Sequence, residues 1–493
     1  MGKSLKFFGQ EIERRLLIFF FSFILSSLFI CSTLFAQNSI FRAGASTANI
    51  TPPLGSGIVG NFGIPPPANF VHDELHARSL VLDDGATKLV FVLVDNVGII
   101  REVFDEAKRL IFEETKIPAS QILMASDHTH SASSASGLGN LRGGWNAGMP
   151  LDDYQRFLVR RIADGVRIAL NNLEPARIGW GVGEVPQHLF NRRWKMKAPV
   201  INPFGGKDQV QMNPGIGNPD LLEPAGPTDP QVSFISVQSL KGRPIGLLAN
   251  YSLHYVGGVP KDHISADYFG VFADRMQELL KADRQDPPFV GIMSNGTSGD
   301  VNNINFRGPI EKYEPYAKMR IVANDVANEV LRVCQTIQYQ EWVPLRAAQS
   351  ELNLKVRRPD TEMLAYAQKV LAKSETETPV HRLEKTYAER TLQMNLWPEN
   401  VNVLMQTFRI GELGVAAIPF EVFTEIGLEI KMRSPFKNSF TIELANGSYG
   451  YLPTPEQHQL GGYETWLGTN KVEQEASRKI VTEILKLFKQ VKQ

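Results

Sequence analysis

The sequence is poor in cysteine and has no excess of either charge. Its 493 residues include two cysteines, Cys31 and Cys334, and the 52 lysines and arginines equal the 52 aspartates and glutamates. Paired cysteines are typical ligands of structural zinc, so this class of site is disfavoured. Nucleic acid is not an expected partner, because binding to phosphate usually depends on clustered positive charge.

Two familiar catalytic patterns are also missing. There is no HExxH motif, which disfavours the zincin metalloproteases. The segment SNGTSGDVNN at 294–303 lacks a Gly-Lys-Ser or Gly-Lys-Thr ending, so it does not predict a phosphate-binding loop. Two interpretations stay open for this segment: a tight turn, or a set of donors for a developing oxyanion.

The N-terminal segment differs in composition from the rest of the chain. Four basic residues precede an apolar stretch at 16–35, and a small residue follows it. This order predicts an export signal peptide at 1–36 and a mature chain at 37–493, either periplasmic or secreted. A retained membrane anchor and a lipoprotein cut before Cys31 are the alternatives. No later segment is long and apolar enough to span a bilayer. If Cys31 is removed, no intrachain disulfide can form.

One order of elements occurs three times. Apolar hairpin patterns at 77–96, 232–251 and 404–419 are each followed by a helical pattern and then by a short apolar strand. This repetition predicts an α/β fold of stacked mixed β-sheets flanked by helices, built from about three hairpin–helix–strand units. The polar segment 358–395 is interpreted as a helical insertion outside the sheets.

Polar side chains collect where the apolar strands of these units end. In layered α/β folds, strand ends and the loops after them are the usual positions of functional sites. If these ends lie together, one site gathers His128, His130, His254, Asp300, Glu421 and Tyr451. Residues 140–230 are rich in glycine and proline, and we expect them to form long ordered loops around a substrate.

The residue types at these strand ends fit a catalytic zinc ion. His128 and His130 project from one face of an extended segment, which suits two ligands, or one ligand and one proton-transfer group. Catalytic zinc typically takes three protein ligands and leaves a position for water, and His254 and Glu421 are further candidates. Each residue also has an ordinary explanation, as a loop histidine or as an acid at a helix start. Asp127 either orients an imidazole or caps the turn.

The ordered set of motifs resembles the N-terminal catalytic domain of the neutral, non-lysosomal ceramidases. The similar segments appear in the family's order and cover most of the mature chain. They are FRAGASTANITPPLG, FVHDELHARSLVL, HTHS, the strand-end His254, SNGTSGDVNN, Pro-Phe-Glu at 419–421, and Tyr451 to Glu464. The resemblance implies one zinc ion per chain, and the residues that match the family's ligands are His128, His254, Glu421 and Tyr451.

The resemblance also implies a set of catalytic residues. His130 matches a histidine near the metal but outside its ligands, Tyr463 matches an active-site tyrosine, and Arg192 matches the arginine of an Asn-Arg pair. One position departs from the family, whose loop reads like GDVSPN. Asn302 stands where that serine would be, and asparagine cannot be a nucleophile, although it can donate to an oxyanion.

These inferences predict an exported, zinc-dependent hydrolase that cleaves an amide (N-acyl) bond through metal-activated water. His130 would carry the proton to the leaving amine, and Tyr463 and Asn302 would stabilise the oxyanion. The expected partner is a small lipid or sugar, and contact with a membrane surface is also expected. The alternative is an enzyme on the same scaffold that acts on a glycan or acylated sugar. It is suggested by Arg142, Trp145, Trp180, Arg192, Arg193 and Trp194, but no pair of glycosidase carboxylates is identified. A binding protein without activity is the third interpretation.

Overall fold

A computed structural model of the chain describes residues 40–60, 65–133, 135, 148–374 and 376–493. The predicted signal peptide at 1–36 lies outside these residues. Within the described ranges, no helix is both long enough and apolar enough to cross a membrane.

The described residues form nine α-helices. In chain order they are α1 (Arg101–Thr115), α2 (Asp153–Asn171), α3 (Asp267–Leu279), α4 (Ala317–Cys334), α5 (Thr361–Leu371), α6 (Glu384–Asn395), α7 (Thr424–Arg433), α8 (Pro455–Leu460) and α9 (Ala476–Lys492).

Two large sheets contain most of the strands, which are numbered in chain order. The eight-stranded sheet has the order β16 (Val290–Asn295), β14 (Pro244–Tyr251), β13 (Gln231–Ser239), β8 (Glu174–Glu184), β1 (Arg42–Asn49), β4 (His76–Asp83), β5 (Lys88–Val94) and β6 (Ile122–Ser126). The four-stranded sheet has the order β18 (Leu345–Lys355), β19 (Asn400–Ile410), β20 (Leu413–Ala417) and β22 (Asn438–Ile442).

Smaller sheets connect the loops. A three-stranded sheet has the order β11 (Lys207–Met212), β10 (Arg193–Ile201) and β12 (Leu221–Pro224). Four pairs of short strands are β2 (Ile58–Val59) with β7 (Ala132–Ser133), β3 (Phe70–Val71) with β15 (His263–Ile264), β9 (Phe190–Asn191) with β17 (Val301–Asn302), and β21 (Glu421–Val422) with β23 (Tyr451–Leu452).

The three predicted hairpin–helix–strand units are confirmed. In the first unit, β4 and β5 pair antiparallel, α1 follows, and β6 returns parallel to β5. In the second unit, β13, β14, α3 and β16 repeat this order with the same pairing. In the third unit, β19, β20, α7 and β22 do so again. The first two units share the eight-stranded sheet, and the third belongs to the four-stranded sheet.

The two sheets stack face to face, with helices on both outer faces. Strand β5 illustrates the arrangement, because both of its faces are buried. Leu89, Phe91 and Leu93 face the core between the sheets, whereas Val90 and Val92 join the core beneath α1 and α2. Strands buried on both faces are typically continuous apolar runs, which is why the strand signal at this position is strong.

The expectation of long loops over residues 140–230 is wrong for 153–184. This stretch contains α2 and the eleven-residue strand β8, which joins the first two units in one sheet. Alternating glycines conceal the strand in the sequence. They are required by packing, since a Cβ at Gly181 would lie 2.8 Å from both Phe234 and Val333. Residues 140–147 lie outside the described residues.

The segment 358–395 contains the helices α5 and α6. Ala367, Val370 and Ala388 form a small core of their own between these helices. The boundaries of the predicted insertion and of the mature chain stay predictions.

A candidate metal centre and active site

The ends of the three units meet at one place because the segment after β22 connects them. The backbone N–H of Glu443 donates to the carbonyl oxygen of Asn295 at the end of β16, at 3.2 Å. Three residues later, the N–H of Asn446 donates to the carbonyl oxygen of Met124 in β6, at 2.7 Å. The loops that follow β6, β14, β16 and β20 are therefore neighbours.

Three imidazole nitrogens converge in this place. The Nε2 atom of His128, which follows β6, lies 2.9 Å from Nε2 of His254 and 3.1 Å from Nε2 of His130. Oε2 of Glu421 lies 3.4 Å from Nε2 of His128 and 3.8 Å from Nε2 of His254. The structure thus brings together three of the four predicted metal ligands and the predicted proton-transfer histidine.

The backbone fixes the orientation of His128. Its Nδ1 lies 2.5 Å from the carbonyl oxygen of Val97, which can only accept, so Nδ1 carries the proton and Nε2 presents a lone pair. His128 has a φ of 81°, a left-handed conformation that is uncommon for this residue type. Asp127 supports this turn by accepting from the N–H groups of Asn96 and Thr129. Asp127 therefore caps the turn, and Val97 orients the imidazole.

The protonation states of the cluster suit metal binding. Burial, followed by the nearby His128, lowers the pKa of His254 and of His130 well below the ordinary value of histidine, so both rings are neutral near pH 7. Burial acts to raise the pKa of Glu421, but the interactions with His128 and Tyr451 bring it below its ordinary value. Neutral imidazoles and an ionised carboxylate are the forms that bind metals.

The donor set fits zinc. Among the described residues, His128, His130 and His254 offer ligand atoms that all lie within 4.8 Å of one another. Oε2 of Glu421 is buried, and no described residue donates a hydrogen bond to it. A buried carboxylate oxygen without a donor is unfavourable unless a cation is its partner. Imidazole nitrogen and carboxylate oxygen are both common zinc ligands.

Tyr451 stands beside the carboxylate. β21 and β23 pair in parallel and place Glu421 opposite Tyr451. The Arg192 guanidinium lies over the Tyr451 ring, 5.3 Å from its centre. Burial raises the pKa of the Tyr451 phenol well above its ordinary value, so the side chain is neutral when no further cation is near. The sequence-based expectation that Tyr451 lies at the site is consistent with this position.

Arg192 and Tyr463 line the same side of the site. The Tyr463 ring centre lies 5.7 Å from that of Tyr451. Nε of Arg192 donates to Glu464 at 2.9 Å, and the other carboxylate oxygen of Glu464 accepts from Arg193 at 2.7 Å. Nη2 of Arg192 is buried and has no hydrogen-bond partner among the described residues. A buried cationic donor in this condition can accept a ligand oxygen without losing another bond.

Asn302 makes its hydrogen bonds within its own loops. Its Nδ2 donates to Oδ1 of Asn213 at 2.8 Å, and its Oδ1 accepts from the N–H of Ile304 at 3.0 Å. In the described part of the chain, no hydrogen bond joins Asn302 to the three histidines. Its predicted action as an oxyanion donor stays a prediction.

Two acidic residues behind the site have more contacts than the sequence indicates. Glu443 is fully buried, and its carboxylate accepts from the N–H of Val422 at 2.7 Å and from Oγ of Ser298 at 2.7 Å. Oγ of Ser298 lies 3.5 Å from Nδ1 of His254. Glu443 thus touches both the strand that carries Glu421 and the group that faces His254. Its signal in the sequence is an acid inside the apolar stretch SFTIELA, where an unpaired carboxylate would be costly.

Asp300 holds the second of these positions. Oδ1 of Asp300 accepts from the N–H of Thr424 at 2.9 Å, and Oδ2 accepts from Nδ2 of Asn191 at 2.8 Å. Burial raises the pKa of this carboxyl to about 6. Asp300 therefore joins the 294–303 loop to the start of α7 and to the residue before Arg192.

Comparison with known proteins assigns this architecture. Residues 41–320, more than half of the chain, match the profile of the neutral/alkaline non-lysosomal ceramidases, N-terminal. The neutral ceramidase of Pseudomonas aeruginosa is 21% identical over 494 aligned positions, which cover 87% of this chain and 69% of that protein.

Two solved structures share the fold. The crystal structure of neutral ceramidase from Pseudomonas aeruginosa matches with a TM-score of 0.67 and 16% identity, over 91% of this chain and 74% of that chain. A ceramidase complexed with C2 matches with a TM-score of 0.66 and 16% identity, over 91% of this chain and 75% of that one. The α/β architecture predicted from the sequence is confirmed by this similarity.

Proposed function

Since this chain belongs to the neutral/alkaline non-lysosomal ceramidase family, it is a ceramidase-family hydrolase, and we propose that it cleaves an amide (N-acyl) bond with the aid of one zinc ion. The observation that carries the proposal is the convergence of three imidazole nitrogens on Oε2 of Glu421, a buried oxygen that receives no hydrogen bond from a described residue.

In this proposal His128, His254, Glu421 and Tyr451 hold the zinc ion. A zinc ion supplies a Lewis acid, which polarises a carbonyl oxygen and lowers the pKa of water toward ~7. The low pKa values of His254 and Glu421 support their part, because ligands must be deprotonated. His130 is a ligand atom of the same cluster, but its second contact, a stacked Tyr255 ring at 3.8 Å, suits a separate role.

His130 is the proposed acid and base. Its ring is neutral near pH 7, so Nε2 can take a proton from the attacking water and then give it to the leaving amine. Gly60 allows the ring to sit at this point, since a Cβ on Gly60 would lie 2.7 Å from the His130 side chain. The developing oxyanion accepts from Nη2 of Arg192 and from the Tyr463 hydroxyl. Asn302 can donate only after its amide leaves Asn213.

The favoured substrate class is a small N-acylated lipid. The sugar alternative rested on aromatic side chains in 140–230, but the described ones are taken up by packing. Trp180 contacts the core between the sheets, and Trp194 is buried beside Phe306. Arg193 is fully buried and pairs with Glu464. Trp145 and Arg142 lie outside the described residues. We also propose that the protein is exported, which the charge and hydropathy pattern of residues 1–36 supports.

The test uses the full chain, purified with zinc, on a fluorescent ceramide and a panel of N-acyl amines and N-acylated sugars. We expect amide cleavage that a chelator abolishes and that added zinc restores. His254→Ala should lose both zinc and activity, whereas His263→Ala, a partly exposed histidine on β15, should keep both. Amide cleavage by a metal-free protein would contradict the proposal, and cleavage of glycosidic bonds alone would favour the alternative.

A further inference from the structure

A cavity of about 180 Å³ opens next to Tyr463. Tyr463 and Trp466 form one wall, Val200, Val210 and Met212 from β10 and β11 form the second, and Leu383 from the 358–395 segment forms the third. The walls thus come from three parts of the chain that are far apart in sequence.

The aromatic wall is held in place before any ligand arrives. Oδ2 of Asp208 accepts from Nε1 of Trp466 at 2.7 Å and from the N–H of Gly462 at 3.0 Å. Gly462 has a φ of 93°, and a Cβ there would lie 2.9 Å from Arg193. A pocket with fixed walls is the usual form of a small-molecule site.

The cavity joins the metal centre at a defined end. Contacts run from His130 to His128, from His128 to Glu421, from Glu421 to Tyr451, and from Tyr451 to Tyr463. The Tyr463 ring then lies 5.9 Å from that of Trp466. In the proposed reaction the leaving amine is at the His130 end of this row. The acyl group is therefore at the Tyr463 end, where the cavity begins.

From these observations we propose that the cavity binds the aliphatic acyl chain of the substrate. One wall is aromatic and the other aliphatic, which favours an alkyl chain over a sugar, since the aliphatic wall offers no hydrogen bonds. A cavity of ~150 Å³ can hold a six-carbon ring, so this one accommodates about six carbons. Longer chains would extend past Ile201, which is 52% exposed at the rim. The inference rests on the proposed amide hydrolysis for the identity of its ligand.

The test compares acetyl, butyryl, hexanoyl and octanoyl p-nitroanilides, which share one leaving amine. We expect kcat/KM to rise roughly fourfold per added methylene up to about six carbons, and then to level off. Val200→Asp places a charge in the cavity and should reduce the hexanoyl-to-acetyl ratio from on the order of 100 to near one. Leu396→Asp is the matched control, because Leu396 is 79% exposed and lies outside the cavity.

Binding of the free carboxylates, acetate and hexanoate, by calorimetry separates the two proposals. If no anilide is hydrolysed but hexanoate binds more tightly than acetate in a manner that Val200→Asp removes, the cavity assignment stands and the amidase proposal fails. Hydrolysis with a chain-length ratio that Val200→Asp leaves unchanged overturns the cavity assignment. A ratio that responds to the length of the amine instead of the acyl chain overturns it as well.

Discussion

The first and third units have the same order of elements but contribute to the site in different ways. In the first unit, the loop after the final strand carries His128, and the loop after the hairpin supplies the Val97 carbonyl that orients it. In the third unit, both loops deliver side chains: Glu421 follows the hairpin, and Tyr451 follows the final strand. One unit thus provides a nitrogen and its support, whereas the other provides two oxygens.

This difference shows that the repeated fold sets positions but not chemistry. Each unit offers two loops at the same end of its strands. The second unit fills them with His254 and with the 294–303 loop, which supports the cluster through Ser298. The buried charges are concentrated at the third unit, where Glu421 and Glu443 are only one strand apart.

The largest effect is expected from removing the oxygen donor of the third unit. Glu421→Ala should leave the chain without bound zinc and reduce hydrolysis to the rate of chelator-treated protein, because three imidazoles alone would hold the ion weakly. Zinc content per chain and initial rate are the measurements. Glu429→Ala on α7, which removes a partly exposed acid paired with Arg433, is the control. Full zinc occupancy in Glu421→Ala would show that the first two units suffice.

The next effect concerns the arginine beside the third unit's tyrosine. Arg192→Lys keeps the charge but loses the planar set of donors, so kcat should fall by on the order of 10²–10³ while zinc content stays unchanged. Arg332→Lys, at an exposed pair with Glu329, should have no effect. A change in KM alone would mean that Arg192 binds the substrate and does not act on the transition state.

A pH effect on stability is expected from Asp300. Its pKa is raised from 3.8 to about 6, so the folded state keeps its proton longer than the unfolded state. Stability is therefore highest below pH ~4 with respect to this group and falls by about 3 kcal/mol as the pH rises to ~6. Urea unfolding of wild type and Asp300→Asn between pH 3.5 and 7 measures the difference. Parallel curves for the two proteins would contradict the assignment.

A smaller effect is expected from the carboxylate that links two units. Glu443→Gln should weaken zinc affinity by roughly 10–100-fold, as is typical when a partner of a metal ligand is changed. Competition with a chelator of known affinity gives the value. Ser298→Ala should act through the same contact, so the double variant should be little worse than either single one. Additive losses would mean that the two side chains act separately.

The smallest effect is expected at the position where the family's serine is replaced. Asn302→Ser should change kcat by less than about threefold, because the side chain of Asn302 is bound to Asn213 and removal of a true oxyanion donor costs far more. Asn213→Ala provides the comparison within the same contact. A loss of 10²-fold or more in Asn302→Ser would restore Asn302 as an oxyanion donor.

The parts of the molecule that follow from local patterns were predictable. Apolar alternation and turn residues gave the three units, and polar residues at the strand ends gave the set that includes His128, His254 and Glu421. Strand β8 was not predictable, because glycines replace the apolar side chains that mark a strand, and the reason lies in contacts with α4. The partners of Asn302 and Glu443 come from segments about 90 and 145 residues away, and no periodicity reports them.

The hydrogen bonds of residues 443–446 with β16 and β6 have a consequence for biogenesis. The histidines are made early in synthesis, but the segment that closes the gap between their loops is made more than 180 residues after His254. N-terminal regions generally fold first, so the nascent chain contains its imidazoles well before it can bind the metal firmly. Activity should therefore begin as a single late event, and metal uptake can serve as a sensitive reporter of complete maturation.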